Sequence, residues 1–177
     1  PYLASEYPGV YLGMGLTAEN VAKQYQVSRA DQDAFALRSH QRAISFIDEG
    51  RFADELVAVP VTGRDGTTST FSVDEHPRRG STAEKLASLK PLHPEIENFS
   101  ITAGNAGGIN DGAAAMLIVD REMAGELGLE PLATITAWAS AGVPPKDTGL
   151  APTIAIPKAL ARAGLEVGDV DLWEINE

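Results

Sequence analysis

Three groups of residues in this chain have types and spacing that chemistry uses. The first is the run Thr102-Ala103-Gly104-Asn105-Ala106-Gly107-Gly108-Ile109-Asn110-Asp111-Gly112, which feeds into Ala113-Ala114-Ala115 and the apolar Met116-Leu117-Ile118-Val119. Glycine allows positive φ and close backbone approach, and Asn and Asp favour tight turns. Such a loop, followed by a strand with the pattern of burial on both faces, lets a ligand or another chain come close to the backbone. The second group is Arg78-Arg79, just ahead of Ser81. Arginine offers a rigid fork to a phosphate, and a helix start adds partial positive charge. The plain alternative is a solvated polar loop. The third is Gly13-Met14-Gly15-Leu16-Thr17-Ala18, which fits a loose dinucleotide pattern. No buried strand precedes it, so it reads better as a turn leading into a helix. His40, His76 and His93 lack metal-ligand spacing, and neither a nucleophile elbow nor a P-loop is present.

Composition bounds the function. The chain has 177 residues, 44% hydrophobic and 22% charged, which is ordinary for a globular protein able to bury a core. Its net charge of −11 argues against a nucleic-acid or anionic-membrane partner. No apolar run approaches the ~20 residues that span a bilayer. Pro1-Tyr2-Leu3-Ala4 lacks the basic start of a secretory signal, and the absence of an initiator Met leads us to expect residues upstream. A cytoplasmic location is expected. There is no cysteine, hence no disulfide, thiolate metal site or thiol nucleophile within these residues.

Several elements must position these groups. Residues 1–16 read as irregular. Thr17 is expected to cap a helix over 18–26, and Ser28 a longer one ended by Gly50, with Asp31 and Asp33 in its first turn. Ala30, Ala34, Leu37, Ile44 and Ile47 predict its buried stripe. Leu56 to Val61 and Phe71-Ser72-Val73 predict a hairpin around Gly63-Arg64-Asp65-Gly66. Ser81-Thr82-Ala83-Glu84 reads as a capping box opening a helix to about Leu89. Strands are expected over 113–119, 132–138 and 170–176, and helices over 121–128 and 153–163. The strand–helix–strand order at the end suggests a βαβ unit with a parallel pair.

The glycine-rich run resembles the corresponding loop of the thiolases, enzymes that cleave or build 3-oxoacyl-CoA. Four more segments resemble the same family in order: Met14-Gly15-Leu16-Thr17-Ala18-Glu19-Asn20-Val21-Ala22, Ser28-Arg29-Ala30-Asp31-Gln32-Asp33-Ala34-Phe35-Ala36, Asp74-Glu75-His76-Pro77-Arg78-Arg79-Gly80-Ser81-Thr82, and the terminal Trp173-Glu174-Ile175-Asn176-Glu177. The resemblance implies an α/β fold, with partial thiolase-like βαβαβ layers and a mostly helical inserted loop domain. Residues 1–100 would be that CoA-covering loop domain, 101–130 the end of the N-terminal domain and 131–177 the start of the C-terminal one.

The resemblance also implies roles. Met14 would lie beside the pantetheine of CoA, although Gly13 replaces the His that many members carry there. Arg78 would hold the nucleotide end of CoA. Lys85 stands where the family often has a small polar residue at CoA, and its ammonium could serve a phosphate. Ala103 would contact CoA, as would Gly107, which replaces a Ser common in the family. Asn176 would fix a water in an oxyanion hole. The family's reaction needs a cysteine thiolate, a second cysteine and a histidine base, which lie outside this stretch. The chain by itself is therefore expected to be inactive, with CoA or acyl-CoA as substrate, no other cofactor and no metal. The intact protein is expected to be a homodimer or homotetramer. A non-catalytic acyl-CoA-binding protein and a different condensing enzyme of the same superfamily remain open.

Overall fold

The computed structural model describes residues 2–111 and 115–176. These fall into two compact units, one of residues 22–108 and one combining 1–21 with 109–177.

The central unit is organised by α3 (Arg29–Asp48). The Ser28 hydroxyl accepts from the Asp31 N–H, which satisfies a donor that the helix start leaves open. Gly50 follows the helix with φ +68, a conformation that glycine adopts at little cost. The expected stripe is only partly realised. Leu37, Ile44 and Ile47 are half-buried, but Ala30 and Ala34 are exposed, and the residue α3 buries is Asp33. The hairpin forms as β1 (Val59–Thr62) and β2 (Thr68–Phe71), antiparallel, with Val59 opposite Phe71 and Thr62 opposite Thr68. Asp65 closes its turn by accepting from the Thr67 N–H and hydroxyl. The next helix, α4 (Ala83–Ala87), is capped by Thr82 rather than by the expected Ser81: the extended Thr82 accepts from the Lys85 N–H. Leu86, Phe99, Ile101 and Thr102 make the buried centre of this unit.

The other unit starts with α1 (Tyr2–Glu6) and a 3-10 turn at Pro8–Tyr11, where no regular structure was expected. Helix α2 (Met14–Tyr25), of which residues 14–21 belong to this unit, begins four residues ahead of the expected start. Thr17 is therefore inside the helix and not its cap; its hydroxyl donates back to the Met14 carbonyl at 2.9 Å. The Asn20 side chain donates to the Lys146 carbonyl at 3.0 Å, tying α2 to the 3-10 turn Pro145–Leu150. Helices α5 (Arg121–Glu126) and α6 (Ala151–Ala163) form as expected, and Gly128 and Gly164 follow them at positive φ.

The three expected strands of this unit are absent among the described residues. Residues 115–119, 132–138 and 170–176 are irregular. Met116, Leu117, Ile118, Leu132, Ile135, Trp138 and Leu172 are all exposed. Accordingly no parallel pair flanks α6; among the described residues the only sheet is the hairpin. A strand exists only when a neighbour takes its backbone hydrogen bonds. These segments have the composition for burial but no described segment to pair with. Gly112, Ala113 and Ala114, the end of the expected loop and start of the first strand, lie outside the described residues.

Candidate functional site

Four of the six candidate residues, Arg78, Lys85, Ala103 and Gly107, belong to the central unit, on α4 or on the segments before and after it. The segment before α4 carries the two arginines. They are not equivalent. The Arg79 guanidinium takes Asp48, near the end of α3, by two hydrogen bonds of 2.6 and 2.8 Å. This holds the Asp48 carboxyl below its usual range and raises Arg79 further. The Arg78 side chain is exposed and has no ion-pair partner among the described residues. Its backbone is anchored at both ends: its N–H donates to His40 Nδ1 on α3 at 3.4 Å, and its carbonyl accepts from the Ser81 N–H at 3.2 Å.

His40 is half-buried, and its ring centroid lies 6.1 Å from that of His76. Burial holds its pKa below the ordinary imidazole value, with help from the nearby His76 and Arg78. The neutral ring is the form that accepts the Arg78 N–H. Lys85, on α4, folds its ammonium back to the Gly80 carbonyl at 2.7 Å, leaving two further donors. Glu84 is held below its usual range by its own backbone N–H and then by the Thr82 hydroxyl.

The glycine-rich loop approaches Leu86 of α4 and Leu89 just beyond it. A Cβ placed on Gly104 would meet Leu89 Cδ1 at 2.5 Å and Leu86 Cδ2 at 2.6 Å. A side chain here would force both leucines to move, so glycine is what permits this close seating. The loop enters through a bridge between Pro91 and Thr102, with the Leu92 N–H on the Ile101 carbonyl at 2.9 Å. Thr102 is fully buried, and its hydroxyl accepts from the Gly104 N–H at 3.2 Å. Ala103 and Gly107 face solvent.

A polar chain to which the sequence assigns no role ties these pieces to α3. Arg29 donates through Nε to Asp33 at 2.8 Å and through Nη2 to the carbonyls of Leu86 and Leu89 at 2.6 and 3.2 Å. Asp33 receives Asn105 Nδ2 at 3.0 Å, and Asn105 Oδ1 accepts from the Thr102 N–H at 2.7 Å. Asn105 also reaches the Ser100 carbonyl at 3.2 Å. The spacing of Arg29 and Asp33 signals a helical pair in the sequence. Nothing local signals that Asn105, 72 residues from Asp33, is its partner.

The other two candidates belong to the second unit. Met14 opens α2 with an exposed side chain, and its sulfur lies 3.8 Å from the Thr17 hydroxyl. Asn176 is exposed on the irregular segment 170–176. Among the described residues no group of three or more His, Cys, Asp or Glu could hold a metal ion. No helix among them is long and apolar enough to cross a membrane.

Comparison with known proteins adds the following. Residues 9–122 match the profile of the thiolase N-terminal domain, and residues 129–177 that of the thiolase C-terminal domain. The chain is 47% identical to the 3-ketoacyl-CoA thiolase of Bacillus subtilis (strain 168), over 99% of this chain and 46% of that protein. It is 49% identical to the acetyl-CoA acetyltransferase of Escherichia coli (strain K12), over 93% of this chain and 41% of that one. The crystal structure of the Bacillus anthracis acetyl-CoA acetyltransferase superposes with a TM-score of 0.82 at 45% identity, covering 91% of this chain and 40% of that chain. The chain thus spans less than half the length of these relatives.

Proposed function

The chain belongs to the thiolase family and adopts part of its α/β fold, and from that premise we propose that it is the CoA-covering part of an acyltransferase that moves an acyl group between a cysteine thioester and CoA. One observation carries this reading: α4 is preceded by a guanidinium, Arg78, with no ion-pair partner among the described residues, and a glycine-rich loop is seated on α4 at Gly104. Phosphate recognition needs the first, and close approach of a long thin ligand needs the second.

In this proposal Arg78 and Lys85 meet the phosphates of CoA, and the backbone at Ala103 and Gly107 lines the pantetheine, with Met14 beside it. Asn176 holds a water whose hydrogen bond stabilises negative charge on the thioester oxygen. Residues 1–100 form the loop domain, 101–130 close the N-terminal domain and 131–177 open the C-terminal one. The chain contains no cysteine. A thiolate must form and then release the acyl-enzyme thioester, so the 177 residues bind CoA but do not turn over. A role in fatty-acid β-oxidation, a cytoplasmic location and a homodimeric or homotetrameric state belong to the same proposal.

Calorimetric titration of the chain with CoA, paired with an acetoacetyl-CoA thiolysis assay, tests the reading. Binding without turnover is the expected result. Absence of binding would remove the CoA assignment, and turnover by this chain would remove the requirement for a cysteine. The alternative reading is an acyl-CoA-binding protein without catalysis. A protein extended to the relatives' full length that binds CoA but gives no thiolysis would establish it.

A further inference from the structure

We propose that Asp33 and Asn105 are positioning residues that set the 102–108 loop against α4 for ligand contact, an inference whose ligand half rests on the CoA reading above. The segment 102–108 contains three glycines and has no regular structure beyond the bridge at Thr102. Glycine-rich backbone loses much conformational entropy on ordering, so something must hold it.

The Asn105 side chain does so in both directions. Its oxygen takes the Thr102 N–H at 2.7 Å, closing the loop on itself. Its amide nitrogen gives to Asp33 at 3.0 Å, fixing the loop to a 20-residue helix. Asp33 is 6% exposed, and Arg29 holds its other oxygen at 2.8 Å. The same guanidinium grips the end of α4 through the Leu86 carbonyl at 2.6 Å. One guanidinium–carboxylate–amide chain therefore sets three pieces at once: α3, α4 with Lys85, and the loop with Ala103 and Gly107. Asn105 lies two residues from each of Ala103 and Gly107, so a shift at its side chain moves both.

The direct test is a reciprocal swap. Asn105→Asp keeps the acceptor for the Thr102 N–H but sets a carboxylate against Asp33. Adding Asp33→Asn restores a donor–acceptor pair and leaves an oxygen for Arg29. Amide hydrogen exchange over residues 102–106 is read alongside CoA affinity, with residues 37–47 of α3 as the internal reference.

Asn105→Asp is expected to speed loop exchange about tenfold or more while the α3 reference holds. It is also expected to weaken CoA binding about tenfold, and the double variant should recover part of both, the donor to the Ser100 carbonyl being lost in either variant. Asn105→Ala, which removes the bonds without adding charge, should move the loop in the same direction if Asn105→Asp does not fold. Unchanged loop exchange, or a swap that restores nothing, overturns the proposal. A mobilised loop with unchanged CoA affinity overturns its ligand half. If the unaltered chain binds no CoA, the function proposed above fails, while loop exchange still decides whether Asp33 and Asn105 set the loop.

Discussion

Arg79 and Asp48 form a two-pronged pair, Nη1 to Oδ2 at 2.8 Å and Nη2 to Oδ1 at 2.6 Å, that joins the segment before α4 to the end of α3. The neighbouring Arg78 has no such partner among the described residues, so two adjacent arginines of identical chemistry have different assignments. Arg79 holds the segment in place, and Arg78 is the one that the CoA proposal assigns to a phosphate.

That division predicts opposite outcomes for the two alanine variants. Arg78→Ala should weaken CoA binding about tenfold, the scale of one lost charge-assisted phosphate contact, and should reduce the salt dependence of binding. Arg79→Ala should cost much less affinity, and its effect on melting temperature should be small because the pair is solvent-exposed. Titration calorimetry at two salt concentrations separates them. Equal losses from both variants would refute the division.

Acidification should destabilise the chain through His40. Burial, with His76 and Arg78 nearby, places its folded pKa below the unfolded value of 6.5. The folded state then binds the proton less readily than the unfolded state does. Stability is fully present above about pH 6.5 and declines as pH falls through that value toward the folded pKa. His40→Asn keeps an acceptor near Nδ1 and cannot protonate. Urea unfolding from pH 7.5 to 5.5 should show the unaltered chain losing stability relative to His40→Asn. Parallel curves would exclude His40 as the titrating group.

Gly104→Ala should destabilise the central unit by about 1–3 kcal/mol, because its new methyl overlaps Leu89 Cδ1 and Leu86 Cδ2. Leu89 is exposed enough to turn away, but Leu86 is buried and cannot. Denaturant unfolding measures the loss. Gly107→Ala, whose added methyl would have nothing within 4 Å, is the control expected to change little.

Ser28→Ala should cost about 1 kcal/mol, the usual worth of an N-cap. The Ser28 hydroxyl accepts from the Asp31 N–H at 3.1 Å. The variant leaves that donor without its partner at the start of the helix that carries Arg29 and Asp33. Helical circular dichroism against urea gives the value, and a change near zero would mean that water replaces the cap.

Much of the central unit was legible in the sequence because its signals are local. Ser28 caps α3 within three residues, Gly50 ends it at positive φ, and the Gly63–Gly66 turn sets its own hairpin. Where local signals competed, the expected position differs from the observed one by a residue or more. Thr82 rather than Ser81 caps α4, and Thr17 bonds back inside α2 instead of capping it. Either hydroxyl can serve by type; backbone conformation chooses.

The expected strands show a different limit. The apolar runs at 116–119 and 132–138 have the composition of buried strands, yet the structure leaves them irregular and largely exposed. Strand structure depends also on a hydrogen-bonding neighbour, which no periodicity within the run can supply.

The sequence by itself determined the helices α3 to α6 to within a few residues at their ends, the hairpin, the family to which the order of the motifs points, and the residue types available to the proposed site. The tertiary structure alone decided that Arg79 is paired while Arg78 has no ion-pair partner among the described residues, that Gly104 lies close against Leu86, and that Asp33 meets Asn105. Caps, turns and helical stripes are contests between neighbours in the chain, settled by a few dihedral angles. Partner choice among buried polar groups is settled by which distant segments share a desolvated space, where each unpaired donor or acceptor is costly.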